Sequence, residues 1–151
     1  MVNETTELLD TAIDREIAAE AFYLAAQKMT TDSGALTLLK ELGAREAQHR
    51  EWVKVLKTQG GKLSGRRGRT PVDLKISEGL TDPGLTAGAS LQDIITIALK
   101  REQYSIEFYS RLKRALNEDQ AEVLCEKLLL EERRHKHKLE VFYDDFFNQD
   151  N

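Results

Sequence analysis

The same helical seam is written twice in this chain, and both times two polar side chains stand where the core should be. Leu39, Leu42, Glu46, His49, Val53 and Leu56 follow one another in steps of three and four, and Cys125, Leu128, Glu132, His135, Leu139 and Phe142 repeat those steps at an offset of 86. Apolar residues at that period mark a helix face buried against other helices. A chain with two such seams folds as a helical bundle, and whatever satisfies the Glu and His within them is part of its core.

Glycine and proline set the boundaries of the helices. Residues 1–59 contain only Gly34 and Gly43, residues 60–88 contain the other seven glycines and both prolines, and residues 89–151 contain neither. The pattern predicts helices near 4–29, 33–59, 90–115 and 118–147. Asp32 or Ser33 supplies an N-cap for the second, and Ser90, with Asp93 three residues on, caps the third. Asn117 or Glu118 marks the third break. Short breaks imply two antiparallel hairpins, and the connection over 60–89 is long enough to cross the bundle end to end. The expected architecture is all-α: a single domain over 1–151, with four helices and one long crossover.

The repeat extends to the first helix of each hairpin. Leu9, Ile13, Glu16, Glu20 and Tyr23 form one seam, Ile95, Leu99, Glu102, Ile106 and Tyr109 the other, and Glu16 and Glu102 each precede a seam Glu by 30 residues. The candidate set is Glu16, Glu46 and His49, with Glu102, Glu132 and His135 at the constant offset of 86. Four carboxylates buried among Leu, Ile and Val lose their hydration at high cost unless a counter-charge is present. The seams offer no Lys or Arg. Two divalent cations supply the missing charge, and two neutral imidazoles add nitrogen donors. Residues at i and i+3 lie on one helix face, so the Glu and His of each Glu-x-x-His converge on one ion. One Glu from each of two helices plus Glu-x-x-His from each of the other two is the ligand set of four-helix di-iron carboxylate sites. The formal charge of -4 agrees, since removing those four Glu leaves 22 acids against 22 bases.

On Glu46/His49, Glu132/His135 and the Glu-to-Tyr pairs Glu16/Tyr23 and Glu102/Tyr109, the chain resembles the rubrerythrin branch of the ferritin-like superfamily, in the stand-alone form that lacks a rubredoxin domain. The resemblance implies a ferritin-like bundle holding two irons, replaceable by zinc or manganese. Glu46 and Glu102 would bridge or flank the metals, and Glu16, Glu132, His49 and His135 would complete them. It also implies an oxidoreductase that reduces hydrogen peroxide with electrons from a separate donor protein such as a rubredoxin. The alternatives are a ferroxidase or iron-handling protein that uses O2, and a non-catalytic metal-binding helical dimer. Peroxide-reducing relatives carry a further carboxylate three residues after the third-helix Glu; here that position is Ser105.

The remaining features read as structural. The acidic balance argues against nucleic-acid binding, and no apolar run approaches a membrane span. The first residues, MVNETTELLD, lack the pattern of a secretory signal, so the expected location is cytoplasmic. Glu20 is expected to ride the seam edge beside an Arg or Lys. Tyr23 and Tyr109 are core aromatics that can hydrogen-bond ligand carboxylates. His137 is expected on the surface, Cys125 as a buried thiol, Glu131 facing away from the seam, and Lys62–Arg69 as a solvated basic connector. Trp52 and the aromatics Phe142, Tyr143, Phe146 and Phe147 suggest packing, with a homodimer contact in addition.

Overall fold

The computed structural model describes residues 4–59, 85–116 and 119–148. Four helices account for nearly all of them: α1 (Glu4–Gln27), α2 (Ser33–Thr58), α3 (Leu91–Leu116) and α4 (Asp119–Phe147). Each bound lies within two residues of the expected one. Asp32 is the N-cap of α2, its carboxylate accepting from the Ala35 amide at 2.8 Å. Ser90 and Asp93 cap α3 reciprocally: the Asp93 amide donates to Ser90 Oγ at 3.1 Å and the Ser90 amide to Asp93 Oδ2 at 3.3 Å. The third break, the basic stretch 62–69 and most of the crossover lie outside the described residues.

Packing follows the seams. α1 pairs with α2 and α3 with α4; across the bundle α2 meets α4 and α1 meets α3. Cross-bundle contacts run in opposite chain directions, as Glu41 meets Lys138 while Trp52 meets Lys127. Two apolar clusters fill the interior. One end holds Leu8, Leu56, Leu112, Leu116 and Ala121, and the other holds Ala26, Leu39, Ile94 and Leu139. α2 therefore ends at the first end and α3 begins at the second, which is the ferritin-like bundle with one long crossover. Phe142, Tyr143 and Phe147 pack against the second cluster, leaving Phe146 as the exposed member of the aromatic group.

Gly43 sets the closest approach within the first hairpin, because a Cβ there would stand 3.2 Å from Tyr23 Cβ. Gly43→Leu must push α2 off α1, and overpacking of this kind costs about 1–3 kcal/mol. The expected result is a lower Tm than wild type in thermal unfolding; an unchanged Tm would show that the hairpin opens there without cost.

Candidate metal centre

Between the two apolar clusters lies a single polar layer. Glu16, Glu46, His49, Glu102, Glu132 and His135 are all buried, none more than 4% exposed, and each comes from its expected seam. The structure brings all six together. His49 Nδ1 stands 3.1 Å from Glu132 Oε1 and 3.7 Å from both Glu16 Oε2 and Glu46 Oε1. His135 Nδ1 stands 3.2 Å from Glu46 Oε1, 3.5 Å from Glu132 Oε1 and 3.6 Å from Glu102 Oε1. Glu46 and Glu132 are thus central, each within reach of both imidazoles. Glu16 flanks the His49 side and Glu102 the His135 side, so Glu132 rather than Glu102 shares the middle with Glu46. The imidazole rings lie nearly parallel, 5.6 Å apart.

Each hairpin steadies the flanking carboxylate of the other. Tyr109 on α3 donates its hydroxyl to Glu16 Oε2 at 2.5 Å, and Tyr23 on α1 donates to Glu102 Oε2 at 2.6 Å. The same exchange recurs one step outward, with the Arg15 guanidinium over the Phe108 ring and Arg101 over Phe22, both at 4.8 Å. These pairs obey the offset of 86 and give the layer an approximate two-fold symmetry.

The electrostatics of so many acids in one dry layer are visible in their protonation. Burial, then the neighbouring carboxylates, push the Glu46 and Glu132 carboxyls well above the ordinary range. Burial pushes Glu102 the same way, but the His135 imidazole beside it prevails and holds it below the ordinary range. For His49 burial favours the neutral ring, yet Glu16, Glu46 and Glu131 outweigh it and raise the imidazole to about 9. Both tyrosine hydroxyls are held protonated by burial and the adjacent carboxylates. Seven side-chain atoms of the six residues nevertheless make no hydrogen bond: Glu16 Oε1, Glu46 Oε1, Glu102 Oε1, both Glu132 oxygens and the two Nδ1 atoms. Buried polar atoms are ordinarily paired. The unpartnered set consists of carboxylate oxygens and imidazole nitrogens, the donors that divalent transition metals take. Among the described residues three groups could hold an ion: Glu16, Glu46 and His49; Glu46, Glu102, Glu132 and His135; and His49, Glu131 and His135.

The neighbouring residues sort differently. Glu20 lies at the seam edge, paired with Arg50. His137 is exposed, and Cys125 is a buried thiol whose pKa is pushed up to about 12, chiefly by burial. Glu131 does not face away as expected. One residue round from the seam still faces α2, because α4 packs on α2, and its Oε1 lies 3.3 Å from His49 Nε2 and accepts from Arg45 at 2.8 Å. The missed signal was arithmetic: Arg45 and Glu131 are repeat equivalents, 86 apart, as are the two histidines that face each other.

Among the described residues no helix is long and apolar enough to cross a membrane. No curated protein gives a significant match to the chain. The Rubrerythrin family model matches residues 7–143, a span that includes all six residues of the polar layer and nearly the whole bundle, and the chain belongs to the rubrerythrin family.

Proposed function

We propose that the chain is a non-haem di-iron oxidoreductase that reduces hydrogen peroxide and is itself re-reduced by a separate electron-donor protein of the rubredoxin kind. The observation that carries this reading is the set of seven unpartnered buried ligand atoms on four Glu and two His. Glu16 and His49 would hold one ion, Glu102 and His135 the other, with Glu46 and Glu132 between them. Two irons bound there would supply the two electrons with which hydrogen peroxide, taking up two protons, is reduced to two waters. The chain's own task is to fix the ligands and keep the layer dry. Tyr109 and Tyr23 hold one oxygen of Glu16 and of Glu102, leaving Oε1 of each buried without a hydrogen-bond partner. The apolar clusters on both sides exclude bulk water, which strengthens every charge interaction between them. A homodimer in the cytoplasm is part of the proposal, resting on the exposed Phe146 and on the sequence.

The deciding measurement is single-turnover oxidation. Protein loaded anaerobically with Fe(II) is mixed with peroxide and, separately, with O2. Faster oxidation by peroxide is expected; faster oxidation by O2 would replace this reading with that of a ferroxidase. Ser105 lies one turn beyond Glu102 on α3, in the place where peroxide-reducing relatives carry another acid. Ser105→Glu is therefore expected to speed peroxide oxidation about tenfold, the scale on which groups around a metal tune it. An unchanged rate with intact metal loading would show that a carboxylate there has no part in the reaction.

A further inference from the structure

The six inward-facing residues follow the 86-residue repeat, but the surroundings of the two imidazoles do not. Glu131 has an oxygen within 4.8 Å of both imidazoles, but its hydrogen-bond-length approach is to His49, with Oε1 3.3 Å from Nε2, and it is itself clamped by Arg45 Nε at 2.8 Å and Nη2 at 2.5 Å. Trp52 covers the same ring at 5.3 Å, and Lys127 Nζ sits 3.8 Å from the Trp52 ring centre. The repeat equivalents of Glu131, Trp52 and Lys127 are Arg45, Lys138 and Glu41. On the His135 side, then, an aromatic lid is replaced by the Lys138–Glu41 ion pair, 2.5 Å long and about half exposed. The acceptor is replaced by an arginine, which can only donate hydrogen bonds. An imidazole that binds metal through Nδ1 must carry its proton on Nε2, and a carboxylate on that N–H fixes both tautomer and ring orientation. Glu131 is placed to do this for His49, whose Nδ1 points unpartnered into the layer.

We propose that Glu131 is a positioning residue that locks His49 as an Nδ1 ligand, so that the ion held with Glu16 and Glu46 binds more tightly than the ion on the His135 side. The proposal rests on the six residues being metal ligands, and its test needs neither iron nor an oxidant. The chain has three histidines, so a zinc titration of full-length protein can be followed through their 15N resonances. In wild type the His49 signals are expected to reach their zinc-bound positions before those of His135, with the His49 proton on Nε2. Glu131→Leu should raise the zinc concentration needed at His49 by roughly 10- to 100-fold and leave His135 within about twofold. Glu131→Gln keeps an acceptor oxygen and should fall between, which also covers the case in which the leucine variant does not fold. If wild type binds two zinc ions with both histidines responding together, or if Glu131→Leu shifts both or neither, Glu131 is not a positioning residue for His49, while the metal reading stands. If wild type takes up no zinc at either histidine, both readings fall.

Discussion

Loading with Fe(II) under anaerobic conditions is expected to stop at about two ions per chain and to raise the Tm by roughly 10 °C or more. The estimate follows from linkage. An ion present at a thousand times its dissociation constant stabilises the folded state by about 4 kcal/mol, and each kcal/mol moves the Tm of a chain this size by about 2–4 °C. Without metal the layer holds four carboxylates and two imidazoles with seven atoms unpaired, so its stability depends on borrowed protons. Elemental analysis and calorimetry of the two forms check the result; equal melting temperatures with loading confirmed would show that the layer is satisfied by its own protons.

The pH dependence has a definite sign. The Glu46 and Glu132 carboxyls lie above their unfolded values, so the folded metal-free protein binds more protons than the unfolded chain and loses stability as pH rises through that range. The His49 imidazole, raised to about 9 against the opposing effect of burial, contributes stability that is complete below its unfolded value of about 6.5 and is lost as pH rises through about 9. Glu102, held low by His135 against burial, acts the other way, but only at acid pH below the ordinary carboxylate range. The metal-free protein should therefore melt progressively lower from pH 6 to pH 9. Metal must displace the same protons, so the gap between loaded and metal-free forms should widen over that interval. A gap independent of pH would mean that the layer exchanges no protons for metal.

What was legible in the sequence is what a period can encode. The seams placed all four helices to within two residues, and the two interruptions at an offset of 86 placed the six polar residues in one layer. Glycine and proline marked the crossover because the helices take no proline and only two glycines, Gly34 and Gly43 in α2. What depends on how helices rotate against one another was not legible. That Tyr109 reaches Glu16 and Tyr23 reaches Glu102 follows from α1 and α3 running antiparallel side by side. That Glu132 is central follows from α2 and α4 meeting along their Glu-x-x-His faces. Glu131 departs from its expected outward orientation for the same reason. A helical wheel says which residues leave the seam, but a residue 100° round is solvated only if no neighbouring helix stands there, and α2 does.

Glu132→Leu is expected to abolish loading of both ions and, at the same time, to raise the Tm of the metal-free protein. Glu132 is the extreme member of the layer: fully buried, with neither carboxylate oxygen hydrogen-bonded. Burial, together with Glu102 and Glu16, pushes its carboxyl toward the neutral form, and a neutral acid that makes no hydrogen bond still loses its hydration. Its neighbours along α4, Leu128 and Leu139, are core residues, so a leucine fits the chemistry of the seam. An unpaired buried polar group costs about 1–3 kcal/mol, and relief of that cost at about 2–4 °C per kcal/mol is a rise of about 2–12 °C. The shorter side chain and the lost contact with His49 Nδ1 at 3.1 Å work against this, and place the expected gain in the lower half of that range. The two forms should thus respond with opposite signs: the loaded protein loses its metal stabilisation, while the metal-free protein gains. Such opposition is the mark of a residue retained for a ligand at the expense of the fold. A metal-free Glu132→Leu protein that melts below metal-free wild type would show instead that the carboxylate earns its place through His49 and His135 alone.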